Sequence, residues 1–192
     1  MVGSIWTHIP GYENRHLCTT CNMEDSMDHI LTSCNALTRR KVWELARETW
    51  PHAPEIWPMI NIGIILGVGA LTLPVNHLNR DRPERNTHPT QRPRATLRLL
   101  QIIISEAAHL VWVLRCERVI QEKTLDEQGI RTRWLRAIND RLTTDRITAY
   151  QTKRDRQFTK LAKRTWKKLL KQNGTLPVNW FQNREVLVGI RA

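Results

Sequence analysis

Sulfur and the smaller aromatic rings are scarce in this 192-residue chain: four cysteines, two tyrosines and two phenylalanines stand against eight tryptophans. So little cysteine excludes a disulfide scaffold, and with no signal-type opening the expected compartment is intracellular and reducing. Long apolar runs are lacking too. Residues 62–73 are short and glycine-containing, while residues 97–114 are interrupted by Arg98, Glu106 and His109, so no stable membrane insertion is expected. Acidic residues number only 18 against 30 Lys and Arg, giving a net charge of +12 and a pI near 10.3. That balance asks for a polyanionic partner.

What is present is enough for a core. Apolar residues make up 41% of the chain, and most of the tryptophans are expected to anchor a helical interior. The charge is not spread evenly. Residues 1–60 carry five Lys and Arg against seven Asp and Glu, whereas residues 131–171 carry fourteen against three.

Read along the chain, the pattern is mostly α: a small CCHC zinc module, then a helical bundle, with a long mobile linker between them. Ser26 is positioned to cap a short helix, and Thr38 to cap a second one whose Val42, Leu45, Ala46 and Thr49 recur at helical spacing before Pro51. These form an expected module over residues 1–50. Residues 51–74 combine prolines with an apolar, glycine-broken run and leave strand, helix and irregular segment all open. Residues 75–94 are polar and proline-punctuated, the expected linker. From 95 to 192 a helical region follows: an apolar helix central to a bundle, a second helix opened by a Thr124/Glu127 capping box with Ile130, Trp134, Ile138 and Leu142 four apart, and a third aligning Phe158, Leu161, Ala162, Thr165 and Leu169.

Three of the four cysteines fall within residues 16–34, in the order Cys18, Cys21, His29, Cys34. The spacing C-x2-C-x7-H-x4-C supplies four soft or borderline donors, the set that tetrahedral Zn2+ takes. His29 and Cys34 stand roughly 140° apart on an ideal helix, so the helix is expected to end or tighten before Cys34. With four protein ligands no position stays open for water, so the zinc is expected to be structural. Glu24, Asp25 and Asp28 read as charges at a helix N-terminus. His16 is a substitute ligand candidate, and Cys116 reads as a core thiol.

The run IWTHIPGYENRHLCTTCNMEDSMDHILTSC resembles the zinc-binding segment that lies downstream of the reverse transcriptase, and of ribonuclease H where present, in LINE-type (non-LTR) retroelements. Further on, ISEAAHLVWVLRCERVI and EVLVGI are similar to the C-terminal extension of fungal retroelement-derived proteins. The resemblance implies binding of template RNA or target DNA during target-primed reverse transcription, an adjacent reverse transcriptase or ribonuclease H domain, and nuclear residence. The chain departs from the catalytic parts of such proteins: it has no Tyr-x-Asp-Asp turn, and the region before Cys18 is too short for the ribonuclease H fold, which needs spaced carboxylates to hold two metals. A non-catalytic tail is therefore expected.

The candidate nucleic-acid contacts are Arg131, Arg133, Arg136, Arg141, Lys153, Arg154, Arg156, Lys160, Lys163, Arg164, Lys167, Lys168 and Lys171, with Trp134 or Trp166 available to stack on an unpaired base. A basic amphipathic helix also suits an acidic membrane surface or calmodulin. The competing structural reading is a module that braces or docks an adjacent domain without touching nucleic acid.

Overall fold

The computed structural model describes residues 3–73, 91–152, 156–170, 179–183 and 186–189. It is helical, as the periodicity requires, with six α-helices among the described residues: α1 (Gly3–Trp6), α2 (Leu37–Thr49), α3 (Ile62–Leu66), α4 (Gln91–Ile120), α5 (Glu127–Gln151) and α6 (Arg156–Trp166). In place of strands, the described residues form two isolated antiparallel bridges, Leu17 with Glu24 and Leu170 with Val188.

At the centre lies α4, packed against α2, α5 and α6. Three successive residues, Ile102, Ile103 and Ile104, are all buried, which only a helix covered around most of its girth can achieve. By length and composition its span Arg94–Ile120 could cross a membrane, but here 56% of its most apolar window is buried in the fold. The helix begins four residues inside the expected linker; Pro93 sits in its first turn, where no intrahelical N–H is needed. The rest of that expected linker lies outside the described residues.

Each outer helix lays down the face its sequence period specifies. Val42, Leu45, Ala46 and Thr49 of α2 are buried, as are Ile130, Trp134, Ile138 and Leu142 of α5. On α6 the buried residues are Ala162, Thr165 and Trp166, with Phe158 and Leu161 only half-buried. Buried residues of α2, α4, α5 and α6 join Ile30 and Leu31 in one apolar cluster, so the cysteine-containing segment and the C-terminal helices share a core. None of the eight tryptophans is exposed, and seven belong to this cluster or pack against it.

Residues 51–73, left open by the sequence, form short turns: Pro54–Ile56, α3 and Val68–Ala70. The Asn61 side chain caps α3 by accepting from the Ile64 N–H at 3.0 Å. Through partly buried Ile62, Ile64, Ile65 and Val68 this segment covers the core.

Two expected caps are corrected. Helix α2 starts at Leu37 with no side-chain cap, because its entry is fixed by buried Ala36 beside Cys18 and Cys34; Thr38 falls inside the first turn. Helix α5 is capped by Asp126, which accepts from the Gly129 N–H at 2.8 Å. Glu127 is then the first helical residue and turns to Lys41, 3.3 Å away, instead of closing a box with Thr124. Asp126→Ala should therefore cost about 1 kcal/mol in urea unfolding, and Thr124→Ala should leave the midpoint unchanged; the reverse order would restore the box.

Candidate metal centre

The first two cysteines sit on a tight reversal. Leu17 and Glu24 pair, the Cys18 N–H donates to Met23 O at 2.8 Å, and the Asn22 N–H donates to Cys18 O at 2.8 Å. Asn22 takes the left-handed conformation (φ 54°) that this reversal needs, a conformation asparagine tolerates better than most residues. Helix α1 leans on the outside of this knuckle. A Cβ on Gly3 would come within 2.8 Å of His16 O, so only glycine allows that approach.

The other two ligands come from one turn of helix. Ser26 caps it as expected, its Oγ accepting from the His29 N–H at 3.1 Å. The helix ends before Cys34, the first of the two expected alternatives, and it does so by widening. His29–Ser33 is a π-turn, and the Cys34 N–H donates to His29 O at 2.7 Å. An i to i+5 ring brings the fifth residue back toward the side of the first, which is the solution to the 140° offset. The backbone then turns extended at Cys34 (φ −60°, ψ 134°).

The four ligand atoms converge, all within 4.8 Å of one another. Cys18 Sγ lies 3.6 Å from Cys34 Sγ, and Cys21 Sγ lies 3.9 Å from it. These are not disulfide distances. A tetrahedron with metal–sulfur bonds of 2.3 Å has edges of about 3.8 Å, and the two separations fall on either side of it. His29 Nε2 is buried without a hydrogen-bond partner, while its Nδ1 sits 3.3 Å from Ser33 Oγ. One ring nitrogen is thus held and the other is left for a metal.

The electrostatics point the same way. Burial pushes the Cys18 thiol up, but the neighbouring His29 ring, hydrogen bonds with the backbone at Thr20 and Cys21 and the Cys34 thiol overcome it and bring the group down to about 6. Cys34 is pushed up to about 12, first by burial and then by the Cys18 hydrogen bond and the Cys18 and Cys21 charges, against a backbone hydrogen bond at Ala36. The Cys18 and Cys34 thiols are thus driven apart in acidity, and a divalent ion would let both bind as thiolates. The Asn35 N–H donates to Cys21 Sγ at 3.2 Å, a further stabilising contact for negative sulfur.

Arginines missed in the sequence brace this centre. Arg115 of α4 pairs with Asp25 in a buried bridge, its Nε donating to Oδ2 at 2.9 Å. Asp25 is accordingly no free helix-end charge. Arg118 donates to the Thr20 hydroxyl at 2.7 Å, and Arg39 donates to Thr32 O at 2.9 Å. The only signal for Arg115 and Arg118 was two guanidinium groups three apart near the end of a largely apolar helix. His16 takes no part, its ring turned to its own Glu13 carbonyl, and Cys116 is half-buried with a free thiol.

The fold pairs some of the candidate phosphate contacts and leaves others exposed. Arg133 is held by Glu117 at 2.8 Å, Arg136 lies 3.7 Å from Asp140, and Arg131 lies 3.9 Å from Glu48. Arg141 and Arg164 are half-buried, Arg141 beside the Glu106 carboxyl. On α6 and just beyond it, Arg156, Lys160 and Lys167 are exposed, Lys163 stands 6.0 Å from the Phe181 ring centroid, and Lys168 lies 3.3 Å from His52 Nδ1. Lys153, Arg154 and Lys171 lie outside the described residues. Neither tryptophan is available for stacking. Both are fully buried; the Trp134 indole donates to Thr49 Oγ1 at 2.9 Å and the Trp166 indole to Asp145 Oδ2 at 2.7 Å. Buried N–H groups must be paired, and these partners fix both rings inward.

Fold and site together describe a helical protein with one candidate Cys3His metal centre among the described residues. Compared with protein-family models, curated proteins and solved structures, the chain matches none of them.

Proposed function

We propose that the chain binds one zinc ion through Cys18, Cys21, His29 and Cys34, and that it serves as a non-catalytic, nucleic-acid-binding tail of a retroelement reverse-transcriptase-type protein. The observation that carries the metal half is the set of four converging ligand atoms with tetrahedral sulfur spacing and a buried, unpartnered His29 Nε2. Zinc is preferred because three thiolates and an imidazole in a closed, four-ligand site suit it. The nucleic-acid half is supported by the fourteen cations against three carboxylates in residues 131–171, with Arg156, Lys160 and Lys167 facing solvent.

Docking to a neighbouring domain is the second reading, favoured by the exposed apolar side chains Ile5, Met59 and Leu66 and by the intramolecular pairing of Arg131, Arg133 and Arg136. Gel-shift titration of the zinc-loaded chain separates the two. If about six phosphates are neutralised, log affinity should fall against log salt with a slope near −5 on duplex DNA or −4 on single strands. Absence of a shifted band with RNA and DNA at low salt would leave only docking.

A further inference from the structure

Arg146, a cation of the basic segment, has no acidic partner among the described residues. It lies half-buried on α5; its Nη2 donates to Val186 O at 2.7 Å, and its Nε is shielded from solvent with no partner. Burial lowers its pKa. A half-buried guanidinium with this geometry offers an external anion a charge-assisted hydrogen bond.

The same arginine lines a half-open cavity of about 810 Å³ between the C-terminal half of α5, α6 and the turn at 179–182, within the usual size range of ligand sites. Lys163 lines it as well and has no acidic partner among the described residues. The apolar part of the wall includes two aromatic rings, Tyr150 and Phe181, and the rim includes two side-chain amides, Gln151 and Gln182. Tyr150 is 70% exposed.

Each feature answers one part of a nucleotide. Cations meet a phosphate, an aromatic face stacks on a base, and amides can donate to and accept from base edges. We infer that this cavity seats one unpaired nucleotide of a single strand, with its phosphate on Arg146 and Lys163 and its base against Tyr150. The inference rests on the nucleic-acid reading above and sharpens it. The stacking role expected of Trp134 and Trp166 passes to a tyrosine that the sequence reading did not select.

The test uses the zinc-loaded full chain with three probes: a 20-nucleotide DNA single strand, the same strand with abasic sites throughout, and the matched duplex. Wild type should bind the single strand about tenfold more tightly than its abasic form. Tyr150→Ala, which removes no charge, should erase that preference, and Tyr150→Phe should retain it. Arg146→Gln and Lys163→Gln should weaken the single strand more than the duplex, whereas Lys160→Gln should weaken both alike. Equal binding of the intact and abasic strands, or a preference that survives Tyr150→Ala, overturns the nucleotide seat and leaves the broader reading standing. Failure of all three probes to bind at low salt overturns both. Saturable binding of oleate without nucleotide preference would assign the cavity to an amphiphilic anion and overturn the seat.

Discussion

Cys34→Ser is expected to bring zinc content from one per chain to near zero and to remove on the order of 10 kcal/mol of apparent folding free energy from the N-terminal segment. That is comparable to the whole stability of a typical domain. Cys34 lies on two of the three sulfur–sulfur edges of the site and ends the π-turn, so serine would remove the ligand on which the geometry converges. The loss should spread beyond the metal. Ile30 and Leu31 of that turn belong to the shared core, and the Trp43 indole of α2 donates to Leu31 O at 2.8 Å. Hydrogen exchange should therefore accelerate in residues 16–34 and at the start of α2, and chelation of the wild type should reproduce the pattern. Thermal unfolding that is indifferent to both chelator and substitution would remove the metal centre.

Asp145→Ala should cost about 3–5 kcal/mol in urea unfolding. Its carboxylate is buried on α5 and accepts 2.7 Å hydrogen bonds from both Arg98 Nη1 and Arg98 Nη2 and a third, also 2.7 Å, from the Trp166 indole. Removing it strands a guanidinium and an indole N–H with no acceptor in the interior, which costs more than the pair contributes when whole. Asp140→Ala, whose partner Arg136 is solvent-exposed, should leave the midpoint nearly unchanged. A loss below about 1 kcal/mol for Asp145→Ala would mean that water replaces the carboxylate and that the network is open to solvent.

Much of this was legible from spacing alone. Four ligands in seventeen residues, the i to i+4 faces of α2 and α5 and the tryptophan-rich interior are local patterns, and local patterns survive folding. What escaped the sequence was long-range or directional. Asp25 and Arg115 are 90 residues apart in the chain, and nothing near either one names the other. The widening at His29–Ser33 depends on where Cys34 must arrive, so periodicity supplied the offset but not its remedy. The caps failed where a tertiary contact outranked a local preference: Ala36 packed against two ligand cysteines, and Glu127 was drawn to Lys41. The inward turn of Trp134 and Trp166 was decided by acceptors on other segments, Thr49 and Asp145.

Helix α4 is clamped at two points, by Asp145 through Arg98 and by Asp25 through Arg115. Seventeen residues of helix separate the clamps by about 25 Å and set them roughly 100° apart around the axis. The helix thereby works as a ruler, fixing how far the ion site stands from the cationic helices and in which direction each faces. Inserting a single residue between the clamps would rotate one by about 100° relative to the other, so that both could not close together. This stretch should tolerate exchange of side chains far better than any change of length.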